Sequence, residues 1–281
     1  MMPLMRFRVL AVLLVLALGG CDSGDESPPS PKLAPPKPAV EAPPAPPPTP
    51  KKTTSFESKD GASLAGDLYL AKPTAPAVVL VHRLHAERAE LAPLAEQLAQ
   101  AKKRFTILNF DLRGHGASQP PKKDKKKPER FDADVVAAIE HVLQASGQKA
   151  PRVLLVGSSF GAALVARVAR TQPKVTGLAL LSPGAAIDGL DVYEPYAEVR
   201  TLPTFIAASA LDNVSKAPFE SLSKMAKAGE TKQYPGSRHS AGHVAAEHPA
   251  LWSDLIAWLE KQYDERPSER VAPKSDEDVQ R

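Results

Sequence analysis

Five short, almost wholly apolar runs lie in the middle of this 281-residue chain, and patterns typical of helices separate them. The runs are Ala77–His82, Phe105–Asp111, Arg152–Gly157, Val175–Ser182 and Pro203–Ser209. Strands of a parallel sheet are covered by helices on both faces, and their sequences are therefore apolar along almost their whole length. The pattern predicts an α/β domain over residues 53–264.

Apolar residues at helical spacing occur between and after these runs. The predicted helices are Ala89–Lys102, Arg130–Ala145, Gly161–Thr171, Pro218–Ala228 and His248–Tyr263. Ahead of the first buried run, Thr54–Ser58 and Ser63–Leu70 are typical of an antiparallel hairpin that turns at Asp60-Gly61. The predicted architecture is a mostly parallel central sheet flanked by helices.

Composition and charge exclude several classes of function. A single cysteine can form neither an intramolecular disulfide nor a cysteine-based zinc site. The net charge is +4, and two of these charges, Arg6 and Arg8, lie in a leader that we expect to be removed. So small a surplus of positive charge does not indicate a nucleic-acid-binding protein.

The first 20 residues have the order of a signal peptide. Arg6 and Arg8 precede the run V-L-A-V-L-L-V-L-A-L, which ends at Gly19-Gly20-Cys21. The apolar run has about 10 residues, and a permanent membrane-spanning helix needs about 20. The segment ending at Cys21 resembles the lipobox of bacterial lipoproteins, which implies cleavage before Cys21, a lipid on its thiol and a location in the cell envelope.

Two further segments flank the predicted domain. After Cys21, the stretch to residue 52 is dominated by Pro, Ala, Ser and charged residues, and it holds 12 of the 29 prolines. Such a composition cannot form a packed core, so we predict a semi-rigid linker over residues 21–52. Residues 265–281 are polar and of mixed charge, which predicts a disordered tail.

The string Gly157-Ser158-Ser159-Phe160-Gly161 connects a buried strand directly to an apolar helix. This G-x-S-x-G pattern is typical of a sharp turn that exposes its central serine at the carboxyl edge of a sheet. Side chains at the two glycine positions would collide with neighbouring backbone. The amino terminus of the following helix favours negative charge at Ser159.

With this motif and its context, the chain resembles the α/β-hydrolase superfamily over nearly all of residues 54–264. The segment V-V-L-V-H-R-L-H resembles the oxyanion loop of the family, with Arg83 in place of its usual glycine after His82. The resemblance implies that the backbone N–H groups of Leu84 and Phe160 bind the oxyanion. The segment D-L-R-G-H-G-A-S matches a structural turn of the family, so we do not expect His115 to be catalytic.

The resemblance to this family also implies the two other residues of a catalytic triad. Asp212 follows the last apolar run and His239 precedes the last helix, and the order Ser159, Asp212, His239 matches the superfamily. Asp188 and Asp191 are the alternatives for the acid, and His243 is the alternative for the histidine. A histidine activates a serine by taking its proton, and a carboxylate orients the histidine.

Other residues have both ordinary and functional interpretations. The histidines do not form an H-E-x-x-H string, so we predict no metal site and no cofactor. The basic run at residues 122–127 is typical of a solvated loop, and its alternative role is attraction to anionic lipid or cell-wall polymers. Only about 20 residues separate Ser182 from Leu202, so we predict no large cap domain, with Tyr193 and Tyr196 at the edge of an open site.

These inferences together predict a lipid-anchored, exported serine hydrolase. Its expected substrate is a small carboxylic ester or a related acyl compound, cleaved through an acyl-enzyme. The alternatives are a non-catalytic envelope protein that keeps the fold for binding, and a haloperoxidase-like activity on the same triad.

Overall fold

The computed structural model describes residues 47–122, 130–149 and 151–264. The predicted leader, Cys21, almost all of the linker, the tail and all of the basic run except Lys122 lie outside these ranges. Within the described ranges, no helix has the length and apolarity that crossing a bilayer requires.

An eight-stranded sheet forms the centre of the domain. Its strands are β1 (Lys51–Glu57), β2 (Ser63–Tyr69), β3 (Ala77–Val81), β4 (Thr106–Phe110), β5 (Val153–Ser158), β6 (Val175–Leu181), β9 (Thr204–Ser209) and β10 (Gly229–Tyr234), and their order is β1-β2-β4-β3-β5-β6-β9-β10. A separate two-stranded ribbon consists of β7 (Ala186–Ile187) and β8 (Leu190–Asp191). The pairs β1–β2 and β2–β4 are antiparallel and the other pairs of the large sheet are parallel. The predicted mostly parallel sheet is confirmed.

Helices cover both faces of this sheet. They are α1 (Ala92–Gln100), α2 (Phe131–Ser146), α3 (Phe160–Thr171), α4 (Tyr193–Val199), α5 (Lys216–Met225), α6 (Ala241–Glu247) and α7 (Ala250–Asp264). In β3, Val79 and Val81 pack into the core beneath α2 to α5, while Val78 and Leu80 pack into the core beneath α1, α6 and α7. Because alternate residues face opposite cores, a strand buried on both faces has to be apolar throughout.

Some element boundaries differ from the predicted ones. The helix predicted from Ala89 begins as a 3-10 turn over Arg88–Leu91, and α1 then starts at Ala92 with Pro93 in its first turn. Proline is tolerated there because the first helical N–H groups have no intrahelical acceptor. The strand β10 and the short helices α4 and α6 were not predicted.

The segment between β6 and β9 holds only the β7–β8 ribbon and α4, in agreement with the predicted absence of a large cap domain. The prediction for Tyr196, however, is wrong. Its side chain is fully buried in the core beside α3, while Tyr193 is half-buried. Helix α4 is amphipathic, and the face that carries Tyr196 and Val199 turns inward.

Candidate active site

Ser159 lies in the turn that joins β5 to α3, at the carboxyl edge of the sheet. Its backbone has a φ of 53° and a ψ of −112°, outside the conformations that most residues adopt. The Ser159 N–H donates to the carbonyl of Leu181 (2.8 Å), and its carbonyl accepts the N–H of Ala162 (2.9 Å). These two bonds hold the backbone of Ser159 in its strained conformation. Strained backbone of this kind is common at functional sites.

The two glycines of the motif are required by close backbone contacts. A Cβ atom at Gly157 would lie 2.2 Å from the carbonyl oxygen of Gly161, and a Cβ at Gly161 would lie 2.4 Å from that of Val81. No side chain fits at either position without moving backbone. The start of α3 therefore packs directly on the end of β3.

Ser159, His239 and Asp212 form one hydrogen-bonded chain across three loops. Ser159 Oγ lies 2.7 Å from His239 Nε2, and His239 Nδ1 lies 2.7 Å from Asp212 Oδ2. The side chain of Asp212 is only 2% exposed, whereas that of His239 is 29% exposed. A carboxylate at Nδ1 holds the proton there and leaves Nε2 free to accept the serine proton.

The loop after β9 fixes the position of Asp212. Its Oδ1 accepts the N–H of Val214 (3.0 Å), and the N–H of Leu211 donates to the carbonyl of Gly236 (2.9 Å), in the segment that leads to His239. Ser215, which is fully buried, places its Oγ 3.2 Å from His239 Nδ1. Ser215 was not among the predicted site residues, and the only signal in the sequence was its spacing of three residues from Asp212.

The alternative acid and histidine residues lie elsewhere. Asp191 accepts the N–H groups of Tyr193 and Glu194 at the start of α4, and Asp188 lies in the turn of the β7–β8 ribbon. His243 is exposed, and its Nδ1 contacts the backbone carbonyl of His239 (3.0 Å) rather than Ser159. The geometry therefore favours Asp212 and His239 over these alternatives.

The loop after β3 carries Arg83 and Leu84. The N–H of Arg83 donates to Glu90 Oε2 (2.9 Å), and its guanidinium donates to the carbonyl of Leu84 (3.2 Å). Within the described part of the chain, the N–H of Leu84 donates no hydrogen bond. The N–H of Phe160, the first residue of α3, has no intrahelical acceptor. Among the described residues, neither of the two predicted oxyanion donors therefore has a backbone acceptor.

His82 has a different role from His239. It is fully buried, its Nε2 accepts the N–H of Leu112 (3.0 Å), and its Nδ1 therefore carries the proton that it donates to the carbonyl of Arg83 (2.7 Å). Burial lowers the pKa of His82 below its ordinary value. This neutral histidine ties the end of β3 to the loop after β4.

The turn after β4 is held by a buried ion-pair network. Arg113 donates to Asp134 on α2 and to Asp60 in the first hairpin. The hydrogen bonds from Arg113 hold the pKa of Asp60 down, at about 2. His115 uses both ring nitrogens on backbone groups, Nδ1 on the carbonyl of Arg113 (2.9 Å) and Nε2 on the N–H of His85 (3.2 Å), and contacts neither Ser159 nor Asp212.

A cavity of about 470 Å³ lies alongside α3, next to the turn that carries Ser159. Its walls come from the start of α2, one face of α3 and the β7–β8 turn; they include Arg130, Phe131, Asp132, Phe160, Leu164, Arg167 and Asp188 to Leu190. Phe160 and Phe131 meet edge to face, with ring centroids 5.2 Å apart.

In the described ranges, no group of three or more His, Cys, Asp or Glu residues is arranged to hold a metal ion.

Comparisons with known proteins match parts of this chain. A family model described as serine aminopeptidase, S33, matches residues 72–202. A thiohydrolase of Aspergillus aculeatus is 31% identical over 108 residues, 38% of this chain and 34% of the relative. A pimeloyl-[acyl-carrier protein] methyl ester esterase of Xanthomonas campestris is 32% identical over 107 residues, 38% of this chain and 36% of the relative. The matched part thus spans about a third of the length of these curated relatives.

A solved structure, an esterase of Pyrococcus furiosus, is similar over the domain. The match has a TM-score of 0.61 at 18% identity and covers 76% of this chain and 93% of the esterase. At 18% identity, the similarity to this esterase shows a shared fold only.

Proposed function

We propose that this chain, which has the α/β-hydrolase fold, is a serine hydrolase. It cleaves a carboxylic ester or a related acyl bond through an acyl-enzyme. The observation that carries the proposal is the continuous contact from Ser159 Oγ through His239 to the buried carboxylate of Asp212. Isolated serine hydroxyls are poor nucleophiles at neutral pH, and an adjacent imidazole base removes this limitation. The relatives described as a thiohydrolase and a methyl ester esterase support an acyl substrate.

The proposed reaction begins with proton transfer. His239 Nε2 takes the hydroxyl proton of Ser159 as Oγ attacks the carbonyl carbon, and the carbonyl oxygen becomes an oxyanion. The N–H groups of Leu84 and Phe160 stabilise this oxyanion, and each such donor lowers the barrier by about 3 kcal/mol in related chemistry. Asp212 stabilises the imidazolium that forms on His239.

The tetrahedral intermediate then expels the alcohol, which receives its proton from His239. A water molecule then attacks the acyl-enzyme while His239 takes a proton from it, and His239 passes that proton to Ser159 Oγ as the acid is released. The side chain of His239 is 29% exposed, so its imidazole is in partial contact with solvent. The small segment between β6 and β9 supports an open site suited to short or extended acyl groups.

We also propose that the chain is exported and anchored to a membrane by lipid on Cys21. The support is the basic head, the short apolar run and the Gly19-Gly20-Cys21 end of the leader. Several acyl chains hold a protein firmly, because each buried methylene contributes about 0.8 kcal/mol. In the producing cell, labelled palmitate is expected in the native chain and absent from a Cys21→Ser variant, whose domain moves to the soluble fraction.

The test of the hydrolase uses the full chain in detergent, a fluorophosphonate probe and p-nitrophenyl butyrate. The native chain is expected to be labelled and to turn over the ester. A Ser159→Ala variant loses the labelling and at least about 1,000-fold of the turnover. The control is Ser253→Ala, which changes an exposed serine on α7. Labelling that persists without Ser159 contradicts the proposal, and a native chain that is never labelled favours the binding protein.

A further inference from the structure

Glu90 contacts three separate segments of the candidate active site. Its Oε2 accepts the N–H of Arg83 in the loop after β3 (2.9 Å). Its Oε1 accepts the hydroxyl of Ser158 (2.7 Å), the residue directly before the nucleophile. The same oxygen accepts the N–H of Gly242 (3.4 Å) at the start of α6, three residues after His239. One carboxylate thus joins the oxyanion loop, the nucleophile turn and the histidine loop.

The contacts of Ser158 extend this junction. Ser158 is fully buried, and its Oγ accepts the N–H of Ala241 (3.0 Å) while its hydroxyl proton points to Glu90. The first two N–H groups of α6 are therefore satisfied by Ser158 and Glu90. Helix N-termini leave such donors without intrahelical acceptors, and these two bonds fix where α6 begins.

The 3-10 turn that carries Glu90 is itself held firmly. The N–H of Arg88 donates to Asp111 Oδ1 (2.7 Å), and the side-chain amide of Asn109 donates to the carbonyl of Arg88 (2.8 Å). Both acceptor and donor lie at the end of β4. Glu90 therefore reaches from a rigid edge of the sheet into the junction, and little space surrounds it, because a Cβ at Gly242 would lie 2.9 Å from its Cγ.

A carboxylate is the group that these partners require. The N–H groups of Arg83 and Gly242 can only donate, and they face different oxygens of Glu90. A glutamine has one oxygen and one NH2 group, so one of the two N–H groups would face another donor. The side chain at this position therefore needs an acceptor oxygen for each of the two N–H groups. A carboxylate supplies both oxygens, whereas a glutamine or a serine supplies only one.

We propose that Glu90 is a positioning residue of the active site: it holds the loop before Leu84 in the orientation that aims the Leu84 N–H at the oxyanion. This inference rests on the proposed hydrolase function. Glu90 holds the peptide before Arg83 through the Arg83 N–H, and the Arg83 carbonyl, which shares a peptide with the Leu84 N–H, accepts His82 Nδ1–H (2.7 Å). With both peptides of Arg83 held, the Leu84 donor is preorganised. The same carboxylate sets the distance between this loop and the segment that carries His239.

The experiment compares Glu90→Gln and Glu90→Ala with the native chain, in detergent, on p-nitrophenyl butyrate. We expect kcat to fall about 10-fold in Glu90→Gln and about 100-fold in Glu90→Ala, since small displacements of catalytic groups have effects of this size. KM is expected to stay within twofold. Burst titration with a fluorophosphonate gives the concentration of competent sites, so that kcat refers to folded protein only.

The matched control is Glu87→Gln, which changes an exposed glutamate three residues earlier, next to the same turn. It is expected to keep native kcat and KM. The proposal is overturned if kcat per titrated site in Glu90→Gln equals that of Glu87→Gln, or if the whole effect is in KM. Ser159→Ala, run in parallel, separates the two proposals: native turnover in that variant removes the hydrolase assignment, whereas its loss together with an unaffected Glu90→Gln removes only the role of Glu90.

Discussion

His82 and His239 lie at the same edge of the sheet, and their surroundings make them different chemical groups. His82 is fully buried and has a backbone partner on each ring nitrogen. His239 is partly exposed and lies between a hydroxyl and a carboxylate. Backbone partners fix a tautomer and leave no proton to exchange, whereas the second arrangement can pass a proton in either direction. The hydrogen-bond partners of a histidine, not its position in a motif, therefore decide its role.

The largest effect is expected when His239 is removed. A His239→Ala variant is expected to lose about 10⁵-fold to 10⁶-fold in kcat, because the serine then has no base. Its stability in urea is expected to change little, since the ring is partly exposed. Kinetics on p-nitrophenyl butyrate and a urea unfolding curve measure the two effects. A variant that keeps more than a tenth of native activity contradicts the assignment.

The next largest effect is expected at the acid. Asp212→Asn keeps the shape of the side chain but presents an amide to His239 Nδ1, which favours the wrong tautomer. We expect a fall of about 10⁴-fold in kcat at neutral pH. The thermal midpoint of the same preparation serves as the control for folding, and equal kcat in the variant and native chain is the contrary result.

His82→Ala is expected to act mainly on stability. The change leaves a cavity and removes the acceptor of the buried Leu112 N–H, and such losses cost about 3 to 5 kcal/mol in the free energy of unfolding. The urea midpoint measures it. The site keeps Ser159, His239 and Asp212, so the folded fraction should retain far more activity than His239→Ala does. Unchanged stability would mean that the backbone bonds of His82 contribute nothing.

The pH dependence of stability follows from the lowered pKa of His82. The unfolded chain takes up a proton at the ordinary pKa of 6.5, while the folded chain resists it. The contribution is therefore fully present above pH 6.5 and declines as the pH falls below that value, by at most about 1.4 kcal/mol per pH unit. Urea unfolding at pH 7.5 and 5.5 should show a loss that is smaller in His82→Ala. His141, whose pKa burial also lowers, contributes in the same direction and is left unchanged in His82→Ala.

The smallest effect is expected at His243, the alternative histidine. His243→Ala removes an exposed ring whose Nδ1 contacts the carbonyl of His239. We expect less than a threefold change in kcat and no measurable change in the urea midpoint. A loss comparable with that of His239→Ala reverses the assignment of the two histidines.

The sequence predicted the strands that are buried on both faces, because such strands must be apolar along their whole length. It did not predict β10, whose sequence G-E-T-K-Q-Y alternates exposed and half-buried residues at the edge of the sheet and resembles a polar loop. The helices α4 and α6 have seven residues each, too few for a clear helical period. Local patterns predict elements only when burial or length makes the pattern strong.

At the candidate site, residues in motifs were identifiable and residues that act through long-range contacts were not. Ser159 and its glycines stand in a local string, while Glu90 meets Gly242 across 152 positions of sequence. Ser215 belongs to no motif, and only the fold places its hydroxyl beside His239. Arg83, in place of the usual glycine, donates from its guanidinium to the carbonyl of Leu84.

The close approach of Gly157 and Gly161 to neighbouring backbone also limits how this site could be re-engineered. Saturation libraries at those two positions would consist almost wholly of misfolded variants, since any side chain displaces main-chain atoms. Diversity is better directed to the β7–β8 ribbon and to the exposed Leu211 and Val214, which flank the acid. Laboratory evolution of new selectivity would then vary the periphery of the cleft and leave the Gly157–Gly161 turn intact.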